Sequence, residues 1–176
     1  MGKDEYAYVV EYLPYGHADF KDRRPSVIIL TDSLALLLAT LKKDVNVEIS
    51  QKVYIGEGKR DQIHHIIGKI TPDKLSETGL SKLKELLDQK IKEYEAKFVS
   101  IINALGPVNV RLHAVELIPG IGKKLMVRLL DERKKQQFSS YADINSRLGL
   151  TSGIEKYIED RIMEEMAGDD KYRIFS

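Results

Sequence analysis

Residues 117–126 read LIPGIGKKLM, with one proline, two glycines and two lysines between apolar runs. Ahead of this turn, Leu112, Val115 and Ile118 mark one apolar face; behind it, Leu125, Met126, Leu129 and Leu130 mark another. The pattern predicts two short helices meeting at PGIG. Pro119 ends the first, because proline cannot continue a helical hydrogen-bond ladder. Gly120 can take a positive φ, Gly122 has no side chain to keep a ligand away, and Ile121 anchors the turn in the core. The second helix then opens near Gly122 with unpaired N–H groups, and such an end attracts anions. Lys123 and Lys124 stand where acidic side chains are the usual preference, so they oppose the helix dipole. An external anion resolves that conflict.

Local charge agrees. From Arg111 to Gln136 there are seven basic residues against three acidic ones, and the basic set includes Arg128, two turns into the second helix. The competing explanation is a glycine turn between core helices whose lysines are merely solvated.

Working outward, the segment up to Ile70 is built of short runs rich in Val, Ile and Tyr: YAYVVEYL, PSVIIL, VNVEI, KVYIG and HHIIGKI. Separated by Gly, Pro, Asp and Ser, they predict about five strands closing into a small barrel over residues 1–72. SLALLLATL mixes signals and is read as a strand like its neighbours. TPDKLSET marks the boundary. A helical connector follows over 73–106, with Leu80, Leu83, Leu87, Ile91, Tyr94, Phe98, Ile101 and Leu105 at helical spacing, as one helix or two in succession. Gly106 and Pro107 stop it. Residues 107–176 are read as helical, with Ser140 and Asp143 spaced as a capping pair and Ile154, Ile158, Ile162 and Met166 on one stripe. The fold class is therefore α+β.

The whole chain sets limits. Its 28 basic and 27 acidic side chains over 176 residues give no global excess of cations, so a nucleic-acid case must be local. Without cysteine there are no disulfides, thiolate metal sites or cysteine nucleophiles. No signal pattern or membrane-length apolar run is present, and Gly2 does not begin a persuasive lipidation motif. A cytoplasmic protein with no membrane partner, no metal and no cofactor is expected.

LHAVELIPGIGKKLMVRLL resembles the helix-hairpin-helix motif, although Met126 stands where that motif commonly has alanine. KVYIGEGKRDQI, the connecting helix, RLHAVELIPGIGKK and FSSYADINSRLGL, in this order, resemble an uncharacterised archaeal family covering nearly the whole chain. The resemblance implies a barrel similar to an OB-fold ahead of a helix-hairpin-helix domain. It also implies a nucleic-acid-binding protein, RNA-binding in particular, with a protein partner in RNA or ribosome metabolism conceivable on that ground alone. RLGLTSG, with Gly149 and Gly153, would complete a tandem hairpin pair whose acidic surroundings suit support of the fold.

Lys124 also matches the attacking lysine of helix-hairpin-helix DNA glycosylases, with Asp143 as the acid those enzymes use further on. The residues around Asp143 depart from that family's pattern, and too few helices precede the hairpin to enclose a flipped base. GEGKRD resembles a phosphate loop but lacks its interval and its final hydroxyl residue, which leaves Lys59 and Arg60 as a basic rim and Tyr54 as a stacking surface or a core ring. YGHADFKDRRP interleaves Tyr15, His17 and Phe20 with Lys21, Arg23 and Arg24, a composition suited to a single strand. His64 and His65 should point to opposite faces of a strand and so not share a metal. DERKKQQ reads as a solvated helix end.

The function expected is non-catalytic, largely sequence-independent binding of a nucleic-acid backbone, RNA ahead of DNA. Gly120, Ile121, Gly122, Lys123, Lys124 and Arg128 would hold it, assisted by Lys59, Arg60, Arg23 and Arg24. The alternative from another class is a protein-interaction adaptor; a glycosylase or lyase using Lys124 ranks below both.

Overall fold

The structure, a computed structural model, describes residues 3–168 and 171–176; Gly2 lies outside them. It is α+β, with two compact units. One runs to Leu86 and takes in Met166–Gly168 and Ser176; the other is Leu87–Glu165 with the tail up to Phe175.

The first unit is a curled antiparallel half-barrel of β1 (Tyr6–Leu13), β2 (Ser26–Thr31), β3 (Leu36–Leu41), β4 (Lys52–Tyr54) and β5 (Ile63–Lys69), in the order β4-β1-β2-β3-β5. SLALLLATL is thus a strand from Leu36 onward, while Ser33 and Leu34 lie in the turn from β2, Leu34 at φ +66°. VNVEI is not: residues 45–49 are irregular, and the backbone partners of Val9 opposite them are Ser50 and Gln51. Val47 still packs against the core cluster, so the alternation reflects burial without a ladder. Nor does the barrel close, since β4 and β5 are the two edges of the sheet.

Bulges curl the sheet. The β1–β2 register slips between Val9 and Glu11, so Val9 and Val10 are both buried although successive strand residues ordinarily alternate. A second slip, between Ile63 and His65 opposite β3, leaves His64 and His65 both exposed instead of on opposite faces. β2 is buried along its whole length, and Ala7, Val9, Val27, Ile29, Ala39, Val53 and Ile63 form the core of one face.

A short 3₁₀ turn (Pro72–Lys74) leads to α1 (Glu77–Glu93). Ser76 caps the helix by accepting from the Gly79 amide at 3.0 Å, and the Glu11 carboxylate of β1 accepts from the Ser76 amide and hydroxyl. Glu11 thereby fixes the start of α1 against the sheet. A Cβ on Gly79 would lie 2.9 Å from the Glu11 carboxylate, so a larger residue there would push that carboxylate aside.

The second unit contains the end of α1, then α2 (Glu95–Ala104), α3 (Lys123–Lys135), α4 (Tyr141–Leu148) and α5 (Ile154–Ala167). The connector is two helices, interrupted at Tyr94. The segment after Pro107 departs from the helical expectation. Residues 105–113 form a loop closed by a single bridge between Pro107 and His113, and the helix expected before PGIG is one 3₁₀ turn, Ala114–Leu117. The spacing of three from Leu112 to Val115 to Ile118 fits the three-residue 3₁₀ period as well as it fits an α-helix. The predicted stripe of α5 is confirmed at Ile154, Ile158 and Ile162, all fully buried. Among the described residues, no helix is long and apolar enough to cross a membrane.

Candidate nucleic-acid interface

The turn is built by Ile118, Pro119, Gly120 and Ile121. The Ile121 amide donates to the Ile118 carbonyl at 3.1 Å, Pro119 occupies the second position and Gly120 the third with φ +86°, the arrangement of a type II turn. Gly120 meets a second constraint, because a Cβ there would fall 2.7 Å from the ring of Tyr157. Ile121 is buried and anchors the turn. Gly122 is the N-cap of α3, extended at φ −82° and ψ −178°, and open space surrounds the place of a Cβ.

α3 begins with no cap side chain and no acid in its first turn. Among the described residues, the amides of Lys123, Lys124 and Leu125 have no acceptor, and the side chains of Lys123, Lys124 and Arg128 make no hydrogen bond or ion pair. All three side chains are exposed, and Lys124 and Arg128, four residues apart, share a helix face. The arrangement is a helix start with free donors and a positive rim. Two other members of the basic stretch have partners inside the unit. Arg133 donates to the Ile102 carbonyl at 2.9 Å, and burial lowers its pKa; Lys135 pairs with Glu132 at 2.8 Å.

His113 caps the 3₁₀ turn through Nδ1, which accepts from the Val115 amide at 3.1 Å, while Glu116 accepts from the His113 amide at 3.0 Å. Burial, then Arg133, push the His113 pKa down. Arg161, buried in α5, donates to the Leu117 carbonyl at 3.1 Å and so ties the entry of the turn to α5. Spacing alone had no signal for Tyr157 or Arg161, whose roles depend on α5 returning beside the turn.

The second glycine turn has another character. Gly149 ends α4 at φ +63° and Gly153 precedes α5 at φ +79°. Asn145 then reaches across: its Oδ1 accepts from the Ile154 amide at 2.6 Å, and its Nδ2 donates to Glu155 at 3.2 Å. An acid, Glu155, occupies the first turn of α5.

Asp143, the acid required by a lyase, is already committed. Ser140 caps α4 by accepting from the Asp143 amide at 3.0 Å, as its spacing predicted. The Asp143 carboxylate accepts from the Ser139 amide at 3.0 Å and pairs with Arg147 at 3.1 Å.

In the half-barrel unit the loop residues separate. Lys59 and Arg23 are exposed and make no hydrogen bond or ion pair among the described residues. Arg60 folds back on its own loop, donating to the Gly56 carbonyl at 2.8 Å, and its carbonyl accepts from Lys42. Tyr54 supports that loop: its hydroxyl accepts from the Gly58 amide at 3.1 Å, and its ring lies where a Cβ on Gly56 would stand. Its ring also meets Tyr6 edge-on, with ring centroids 5.5 Å apart.

Arg24 grips Asp22 through Nε and Nη2, and this contact pulls the Asp22 carboxyl down to about 2. His17 is buried, donating through Nε2 to the Lys74 carbonyl at 3.1 Å, and Phe20 packs edge-on against it. Of the three rings in that loop, Tyr15 alone is well exposed, at 80%. A cleft in this unit brings Arg24 together with Tyr12, Lys42, Lys43 and His64, residues that distant parts of the sequence contribute. Among the described residues, no cluster of three or more His, Cys, Asp or Glu could hold a metal ion.

These features define an α+β protein with a curled five-stranded half-barrel and a helical unit bearing two glycine turns, one of them open. The chain belongs to the family described as Protein of unknown function (DUF655), whose model matches residues 3–176. It is 37% identical over 175 residues to the Uncharacterized protein MJ0038 of Methanocaldococcus jannaschii, covering 98% of this chain and 79% of that one. The crystal structure of Af1531 from Archaeoglobus fulgidus, of the same family, is similar with a TM-score of 0.82 at 33% identity, over 98% of this chain and 99% of that one.

Proposed function

We propose that the protein binds nucleic acid through its phosphate backbone without catalysis, with RNA ahead of DNA. Its PGIGKK turn then acts as a helix-hairpin-helix clamp, and its curled half-barrel as an OB-like face. The observation that carries this reading is the contrast between helix starts. The amides opening α3 lack protein acceptors among the described residues and are flanked by unpaired Lys123 and Lys124, whereas Asn145 caps α5. A phosphate oxygen fits the first arrangement, since it accepts from backbone N–H groups at a helix start and pairs with lysine. Arg128 extends the contact along the strand. Lys59 and Arg23 are free to add secondary contacts from the half-barrel loops, while Arg24 would act from its pair with Asp22 and Arg60 in support of its own loop.

The test is fluorescence anisotropy of labelled single-stranded RNA, duplex RNA and duplex DNA at several salt concentrations. Wild type is compared with Lys123→Glu/Lys124→Glu after its folding is verified. The slope of log affinity against log salt should become shallower by about 0.7–0.9 for each phosphate-pairing cation removed, and so by up to about twice that in the double variant. Wild type that binds none of the three ligands would overturn the reading and favour the protein-interaction adaptor, for which exposed Val110 and Val127 offer apolar contacts.

A further inference from the structure

At one end of the half-barrel sheet, the end of β1, the approach to β2 and the exit from β3 surround a cleft of about 680 Å³. That volume falls within the roughly 300–1,000 Å³ of small-ligand sites. Pro25, Leu41 and Val45 supply an apolar wall, and the Tyr12 ring beside them is 42% exposed. Arg24, Lys43 and His64 also line the cleft. Among the described residues Lys43 makes no hydrogen bond or ion pair, and Arg24 keeps Nη1 free while Asp22 holds its other nitrogens. The Asp22 contact thus orients the guanidinium within the cleft. Asp44 is the one acid among the lining residues.

An exposed ring, an apolar wall, the Arg24 guanidinium held by Asp22 and the unpaired Lys43 together fit a flat, partly apolar ligand carrying a negative charge. Asp44 adds an acceptor for amino or hydroxyl donors and repels a ligand that is anionic throughout, such as a polyphosphate. A nucleotide has all of these parts. A paired base has its faces covered by its neighbours, whereas an unpaired base can leave its stack and lie on an aromatic side chain. We infer that the cleft receives one nucleotide of a single strand, its base on Tyr12 and its phosphate against Lys43 and Arg24. This rests on the nucleic-acid reading and sharpens it, giving single strands as the substrate class of the half-barrel unit.

The test uses a labelled RNA hexamer and a labelled RNA duplex with the full chain, competed by adenosine monophosphate or inorganic phosphate. Variants are Tyr12→Ala, Tyr12→Phe, Lys43→Glu and Lys123→Glu/Lys124→Glu. Tyr12 and Lys43 are exposed, so urea midpoints should stay near wild type and certify folding. Tyr12→Ala should weaken hexamer binding about tenfold, the scale of one base–aromatic stack, with Tyr12→Phe near wild type and duplex binding unchanged. Lys43→Glu should weaken the hexamer and flatten its salt dependence. If the hexamer binds Tyr12→Ala and Lys43→Glu as tightly as wild type while the hairpin variant fails to bind it, the cleft inference falls and the backbone reading stands. If adenosine monophosphate competes as well as the unlabelled hexamer, the cleft serves free nucleotides and the strand assignment is overturned. If wild type binds no nucleic acid or nucleotide, both fall.

Discussion

The two glycine turns of the helical unit solve the same local problem in different ways. Each reverses the chain through positive-φ glycines and launches a helix, α3 after Gly120 and α5 after Gly149 and Gly153. At the second turn, Asn145 and Glu155 supply the acceptor and the negative charge that the helix start favours. At the first, Lys123 and Lys124 open the helix behind Gly122, and among the described residues the amides stay open. One turn completes the fold internally. The other leaves a deficit that an anion can fill, and its Gly120 faces a tyrosine ring, whereas Gly149 of the closed turn faces open space and Gly153 the flexible end of Glu155.

That constraint gives the largest expected effect. Gly120→Ala forces a side chain into the left-handed region and against the Tyr157 ring, at a cost of about 2–3 kcal/mol. Gly149→Ala meets the backbone penalty alone, because open space surrounds its Cβ position, and should cost about 1 kcal/mol. Urea unfolding of the two variants checks the order. Equal losses of stability would show that Tyr157 does not confine the first turn.

Exchanging the caps comes next. Asn145→Ala strips the Ile154 amide of its acceptor and should destabilise by about 1–2 kcal/mol, with nucleic-acid affinity unchanged. Gly122→Asp does the reverse at α3. The Cβ has room, the carboxylate can cap the open amides, and stability should rise by about 0.5 kcal/mol. Affinity for nucleic acid should fall together with that gain. A stabilised Gly122→Asp variant that binds as well as wild type would separate the open helix start from function.

The difference between the turns was only partly legible in the sequence. Glycine spacing, the apolar faces and the two lysines located the first turn, and the acidic surroundings of the second marked it as structural. Hydrogen bonding carried the rest. Asn145 reaches the Ile154 amide across nine residues, and no local pattern records that. Arg133 resembles its basic neighbours in sequence, but its donation to the Ile102 carbonyl removes it from the exposed set. Strands followed the same rule: SLALLLATL could be read because its neighbours imposed a sheet, whereas Val45 to Ile49 alternate like a strand but only Val47 joins the core as packing. The cleft was the least readable feature, since Tyr12, Arg24, Lys43 and His64 meet only once the sheet has curled.

The smallest expected effect concerns α4, the helix leading into the closed turn. The Ser139 amide donates to the Asp143 carboxylate and, with help from Arg147, holds its pKa below the ordinary 3.8 against the opposing effect of burial. A carboxyl depressed by folding stabilises the native state fully above its unfolded pKa and loses that contribution as pH falls through the folded value. Asp143 should therefore titrate below 3.8 by NMR, and Asp143→Asn should flatten the part of the acid stability loss that falls between the folded and unfolded values. Titration at the ordinary value would mean that the Ser139 hydrogen bond is not held in solution. Among the described residues no carboxylate serves α3 in this way, so Gly122→Asp should add a second acid-sensitive contribution of the same sign. With that substitution, the open turn would acquire the pH response of a capped helix.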